Sequence, residues 1–280
     1  MHFNLLNRCP PSRCKTRFRC CSSCFVDSLD DIKPEFLRES SQGKPLADLM
    51  KHFSSKTIPF LTLAGQQTDP TWLDQNQSVY EEYVREPFIE LAEYLKRSLH
   101  PVAADYHFST KGIGRIKRMA NKVMPGDPCY KDWLSLSASK PSDSRFERNP
   151  HLFFGILPNE EPWKGVIVAG GLFMPSGPQL KKMRAAIAED STPIHDLFDD
   201  KAFKARFNEG FSRFNVTTRV PRGCASDHPD IEWLMLKSFL VVRRVSASEF
   251  VSPKLPDAIV NDYKQLLRLN RIIEMILARA

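Results

Sequence analysis

The strongest pattern in the chain is an apolar stripe at helical spacing. Between about Gln77 and Leu99, apolar residues recur every three or four positions, and Pro87 falls inside the stripe. This spacing places the apolar side chains on one face, which predicts an amphipathic helix packed against the core. The proline is expected either to kink this helix or to lie in the first turn of its main part. A similar stripe from Ile259 to Leu277 predicts a C-terminal amphipathic helix.

The middle of the chain has the pattern of β-strands. Residues 151–157 and 164–174 are β-branched and aromatic runs joined by PNEEPW, which predicts two antiparallel strands with a longer hairpin loop. Gly170 and Gly171 lie within the second run and predict a bulge or a close approach of two backbones. No GxGxxG or Walker pattern surrounds these glycines, so we predict no nucleotide cofactor.

The segments around these strands predict further short elements. Ser176 and Gln179 have the spacing of a capping box, which predicts the start of a helix. Additional helices are predicted over 58–67, 200–207 and 230–237, and additional strands over 214–220 and 239–245. Strands grouped centrally between helices favour an α+β fold, with an antiparallel sheet flanked by helices in a single globular domain.

Residues 1–57 differ in composition from the rest of the chain. Cysteine, serine and basic residues dominate the start, which predicts a poorly ordered tail before a globular domain over 58–280. Only five residues separate Cys14 from Cys20, fewer than the loop that usually joins two pairs of zinc ligands. A thiol-rich leader is therefore favoured over a zinc site, and an organelle transit peptide is a further alternative.

The overall charge favours anionic partners over neutral ones. The formal net charge is +7 and the isoelectric point is about 9.0, which is moderately basic. No apolar run approaches the roughly 20 residues that span a bilayer, and no apolar signal segment follows Met1. We therefore expect a cytoplasmic protein without a membrane partner or a metal site, and we leave its protein partners and oligomeric state open.

One basic segment contains the candidate chemistry. Residues 114–130 read GRIKRMANKVMPGDPCY, in which arginine and lysine side chains precede a Pro-Gly-Asp-Pro turn and a tyrosine. Arginines at this density either bind a multiply charged anion or take part in a structural ion-pair network. A third interpretation is the solvated face of a basic helix, because Arg115 and Arg118 are three residues apart.

Several segments together resemble a known family. YEEYVREPFIELAEYL, GGLFMPSGPQLKKMRAAI, PRG…DHPDIEWLMLKSF and the region of Trp72 occur in the order found in the bacterial DUF2461 family, a domain of unknown function. The family signature, R-x-x-R-D-x-R-F-x-x-x-[DN]-K-x-x-Y, aligns without gaps from Arg115. Arg115, Arg118 and Tyr130 match, three positions of eight, whereas Met119 replaces the expected acid.

The resemblance and the charges lead to two hypotheses. The first is a binding module for a phosphate-bearing or other anionic ligand, with nucleic acid as one such ligand. In this hypothesis Arg115, Arg118 and Lys131 neutralise charge, and Tyr130 donates a hydrogen bond or stacks on the ligand.

The second hypothesis is an enzyme, or a degenerate enzyme, of hydrolytic or phosphoryl-transfer type. Asp127 or Glu232 would be its acid or base, because Met119 cannot transfer a proton. Glu232 also has metal-ligand spacing from His228, but the adjacent Pro229 favours a capping role for His228 or Asp227 at a helix start.

Overall fold

The computed structural model describes residues 50–109, 113–142, 144 and 146–279. Most of the predicted tail, including its cysteine cluster, lies outside the described residues. Phe53 belongs to the hydrophobic core although it precedes the predicted start of the domain at residue 58. Among the described residues, no helix has the length and apolar character needed to cross a membrane.

The predicted helix over Gln77–Leu99 is present as three consecutive pieces. It follows α1 (Thr57–Ala64) and α2 (Trp72–Gln75), and it consists of α3 (Gln77–Tyr80), a π-helical segment (Glu81–Arg85) and α4 (Glu86–Leu99). Pro87 lies in the first turn of α4, as one of the two alternatives predicted. Proline has no backbone N–H to donate, and the regular α-helical hydrogen-bond pattern is replaced by the wider one in the turn before it.

Five antiparallel strands form the sheet of the described domain. They are β1 (His107–Phe108), β2 (Leu134–Ser139), β3 (His151–Leu157), β4 (Gly165–Leu172) and β5 (Phe239–Val245). Each strand pairs with the next one in the chain, so the order is β1-β2-β3-β4-β5. The α+β architecture and the β3–β4 hairpin are thereby confirmed.

Two of the sequence-based strand assignments differ from the structure. The predicted strand over 214–220 is wrong, because only Val216 pairs there, in a single bridge to Leu236. Strand β2 was not predicted, although its buried Leu134 and Leu136 alternate with half-buried serines. The short serine-rich run lacks the β-branched and aromatic residues on which the other predictions depended.

The glycine pair in β4 marks two close approaches, and the one at Gly171 is the predicted approach between two backbones. A Cβ atom on Gly170 would lie 2.9 Å from Cβ of Leu266, in the helix that crosses the sheet. A Cβ atom on Gly171 would lie 2.0 Å from the carbonyl oxygen of Phe239 in β5, and Gly171 has a φ of +120°. Only glycine satisfies both the backbone conformation and the space at position 171.

The remaining helices follow β4 and β5. The predicted capping box forms at the start of α5, because the Ser176 side chain accepts from the Gln179 backbone N–H and the Gln179 side chain accepts from the Ser176 backbone N–H. Helices α7 and α8 are shorter than predicted. The elements are α5 (Gly177–Glu189), α6 (Thr192–Asp199), α7 (Lys201–Lys204), α8 (Ile231–Leu234), α9 (Ala247–Phe250) and α10 (Leu255–Ala278).

Helices α4 and α10 cover one face of the sheet. The ring of Phe88 in α4 lies 6.3 Å from that of Phe154 in β3, and Leu266 of α10 lies over Gly170. The side chains on this face are mostly apolar and buried. The opposite face therefore carries the alternate residues of each strand.

A buried ion-pair network joins α10 to the same face of the sheet. The carboxylate of Asp262 has no exposed surface and accepts from Nε of Arg206 at 2.6 Å and Nε of Arg243 at 2.9 Å. Arg243 also donates to both carboxylate oxygens of Glu249, at 2.8 and 2.9 Å. These arginines are neutralised within the fold, so the network is structural.

Candidate functional site

Residues 115–118 of the basic segment are extended rather than helical, and a short 3-10 helix follows at Ala120–Lys122. Lys117 pairs with Tyr130 in a single antiparallel bridge. On either side, the Arg118 N–H donates to the Cys129 carbonyl and the Lys131 N–H donates to the Ile116 carbonyl, both at 2.9 Å. The helical interpretation of Arg115 and Arg118 is therefore wrong. The pairing instead brings residues 115–118 beside residues 129–131.

Tyr130 fixes the paired segments to the backbone of residues 70–73. Its side chain is 0% exposed, and its hydroxyl donates to the Pro70 carbonyl at 2.8 Å and accepts from the Leu73 N–H at 3.1 Å. Its ring meets that of Trp72 edge to face, with centroids 5.6 Å apart. The hydroxyl is hydrogen-bonded within the fold and the ring is buried. The phenol therefore cannot form the predicted hydrogen bond or stacking contact with a ligand.

The two signature arginines are both exposed. Nε of Arg115 donates to the Lys117 carbonyl at 3.2 Å, and Nε of Arg118 donates to the Tyr130 carbonyl at 3.1 Å. Each guanidinium is therefore oriented by one backbone oxygen, and its terminal nitrogens remain for other partners. Among the ion pairs of the described residues, neither arginine has a carboxylate partner.

Lys131 is the third cation of this cluster. Its ammonium lies 4.6 Å from the centroid of the Trp133 ring, and the side chain is half-buried. Burial, followed by the charges of Arg115 and Arg118, lowers the pKa of Lys131 to about 8. We call Arg115, Arg118 and Lys131 the basic cluster. Its members repel one another, and an anion bound between them would relieve that repulsion.

The two candidate acids lie outside the basic cluster's contacts. The carboxylate of Asp127 accepts from the Met124 N–H at 3.2 Å and so closes the Pro-Gly-Asp turn. Glu232 forms an exposed ion pair with Arg213 at 3.0 Å. Within the described part of the chain, no hydrogen bond or ion pair joins either acid to Arg115 or Arg118. Neither of the two predicted acids therefore contacts the arginines of the basic cluster among the described residues.

Asp230 occupies the N-cap position of α8, so the predicted capping role is wrong both for Asp227 and for His228. Nδ1 of His228 accepts from the Asp230 N–H at 3.0 Å. His228 thus closes the turn that leads into the helix, rather than capping the helix itself. Among the described residues, no three His, Cys, Asp or Glu side chains are grouped as metal ligands would be.

A second polar group, which was not predicted, forms around Asp230. This buried carboxylate accepts from Oγ of Ser191 at 2.6 Å and lies 2.7 Å from Nε2 of His195, whose ring stacks on Trp233. Asp230 lies between the serine and the histidine, so His195 cannot take the proton from Ser191 as it would in a nucleophilic triad. Ser191 and His195 lie 39 and 35 residues from Asp230, a separation that no local motif predicts.

Comparison with known proteins identified one family. The family model described as a conserved hypothetical protein (DUF2461) matches residues 56–271. This range includes the basic cluster, the whole sheet and most of α10. No curated protein and no solved structure matched the chain.

Proposed function

Because the chain belongs to the DUF2461 family, whose description names no activity, we propose a function from the geometry of the basic cluster: it binds a phosphate-bearing or other multiply charged anion. Arg115, Arg118 and Lys131 would each contribute one positive charge. Tyr130 would act as a positioning residue, since its carbonyl orients Arg118 and its buried phenol fixes the strand segment that carries Lys131.

The observation that carries this proposal is the difference between two groups of arginines. Arg206 and Arg243 share the buried carboxylate of Asp262, whereas among the described residues the exposed Arg115 and Arg118 are oriented by carbonyl oxygens alone. Guanidinium groups bind phosphate oxygens through paired, charge-assisted hydrogen bonds, and such bonds require free terminal nitrogens. The exposed pair meets this requirement and the buried pair does not.

The hydrolytic alternative has no such support. It requires a carboxylate within hydrogen-bond reach of a ligand held by the arginines. Asp127 closes its own turn and Glu232 pairs with Arg213, so neither contributes to the basic cluster. Binding without chemistry is therefore the function that we put forward.

Isothermal titration calorimetry with inorganic tripolyphosphate tests this proposal. We expect the double variant Arg115→Ala/Arg118→Ala to weaken binding at least about tenfold, because a hydrogen bond to a charged group contributes roughly 1.5–3 kcal/mol. The matched control is Arg219→Ala/Arg222→Ala, which removes two exposed arginines with the same spacing and the same charge. Equal losses in both double variants, or no binding by the wild type, would overturn the proposal.

A further inference from the structure

The sheet face opposite α4 and α10 has a row of serines beside two aromatic rings. Ser135, Ser137 and Ser139 of β2 pair with Gly155, Phe153 and His151 of β3, respectively. The serines are half-buried, and they alternate with the core residues of β2. Among hydrogen bonds between described residues, none involves these three hydroxyl groups.

The rings of Phe153 and His151 lie close to the backbone on this face. A Cβ atom on Gly155 would be 2.7 Å from Cε1 of Phe153, so the phenyl ring extends along its own strand over the bare glycine backbone. The His151 ring lies 6.4 Å from the Phe153 ring and perpendicular to it. The His151 ring also meets the Phe173 ring at 6.4 Å, and burial lowers the pKa of His151 to about 4, so the imidazole is a neutral packing group at pH 7.

The serine row begins where the basic cluster ends. Lys131 and Trp133 come directly before β2, and the Lys131 ammonium lies against the Trp133 ring. Ser139, at the other end of the strand, is about 13 Å from Ser135 at the usual rise per residue. On the same face Arg244, which is exposed, donates to the carbonyls of Pro162 and Lys164. Lys131 thus lies at the start of β2, next to the hydroxyl groups along that strand and the Phe153 ring of the neighbouring strand.

From this juxtaposition we infer that the anion bound by the basic cluster belongs to a single-stranded nucleic acid, whose bases lie on the face formed by Ser137, Phe153 and His151. The inference rests on the proposed function, since the phosphates would be held by the basic cluster. Aromatic rings stack on unpaired bases of any sequence, and hydroxyl groups can hydrogen-bond to base edges. The bases of a duplex are already stacked and paired, so they could not use these rings.

The charge of the surface favours this ligand over an acidic peptide. A peptide would satisfy Arg115, Arg118 and Lys131 with carboxylates but would have no planar groups at regular spacing for the rings of Phe153 and His151. A nucleic acid strand offers both a phosphate and a base in each nucleotide. The combination of a positively charged edge with stacking rings is typical of surfaces that bind single strands.

Fluorescence anisotropy with a labelled oligothymidylate of about 10 nucleotides tests the inference. We expect Phe153→Ala to weaken binding between about 5-fold and 150-fold, which corresponds to the loss of one stacking contact. Ser137→Glu, which leaves the core unchanged, should weaken binding at least as strongly because it places a negative charge on the proposed path. Its matched control is Ser248→Glu, an exposed serine in α9 that receives the same charge.

The two proposals fail in different ways. If Ser137→Glu and Ser248→Glu bind the oligothymidylate equally, or if the duplex of the same length binds as tightly as the single strand, the sheet face is not the binding surface. In that case tripolyphosphate binding that depends on Arg115 and Arg118 would still support the basic cluster. If Phe153→Ala and Ser137→Glu lose the oligothymidylate but keep tripolyphosphate, both proposals stand.

Discussion

Lys131 should make anion binding depend on pH, and the structure gives the direction. Its pKa of about 8 in the free protein lies below the usual 10.5, because burial and two neighbouring arginines disfavour the ammonium form. A bound anion would stabilise the ammonium and raise this pKa, so binding takes up a proton above pH 8. Affinity should therefore fall as the pH rises through about 8.

The size of the effect follows from the same pKa. A group with a pKa of 8 is about 90% protonated at pH 7 and about 10% protonated at pH 9, so the affinity should decrease by up to about tenfold over this interval. The control is Lys131→Arg, since arginine stays charged throughout and should remove the dependence. The same linkage predicts that Lys131 makes the fold more stable as the pH rises from 8 towards 10.5, because the unfolded chain then binds the extra proton.

Calorimetric titrations with tripolyphosphate at pH 7 and pH 9 provide the measurement. The ratio of wild-type to Lys131→Arg affinity is the quantity to compare, because ionisation of the tripolyphosphate itself affects both proteins equally. A ratio that is the same at both pH values would mean that Lys131 does not titrate in this interval or does not contact the anion. This result would refute the predicted pH dependence.

Two further predictions concern residues that build the site and the fold. Asp262→Ala should lower the free energy of unfolding by about 3–5 kcal/mol in urea denaturation, because two arginines lose their shared buried carboxylate. Asp199→Ala, which removes an exposed ion pair, should cost no more than about 1 kcal/mol, and equal losses would contradict this assignment. Tyr130→Phe should cost about 1–3 kcal/mol by leaving two backbone groups of residues 70–73 unsatisfied. A loss of tripolyphosphate affinity in Tyr130→Phe at unchanged stability would instead place the phenol at the ligand.

The local sequence predicts only part of the candidate site. The match of Arg115 and Arg118 to the family signature, together with the nearby Lys131, selected these three cations from the other basic residues of the segment. The role of Tyr130 was not predictable, because its partners at Pro70 and Leu73 lie about 60 residues away in the chain. Trp133 beside Lys131 was visible in the sequence, but only the geometry places its ring against the ammonium.

Local periodicity determined the elements that have one clearly apolar side. The stripes of α4 and α10 repeat at the helical period, the capping box of α5 is a fixed local spacing, and β3, β4 and β5 are β-branched and aromatic runs, so a short window of sequence is enough to recognise each of them. Strand β2 and the extended basic segment depend instead on hydrogen bonds to distant backbone. Their pairing partners, the alignment of the serines with Phe153 and His151, and the burial of Tyr130 were decided only by the tertiary structure, because strand register and side-chain burial arise from contacts between segments far apart in the chain.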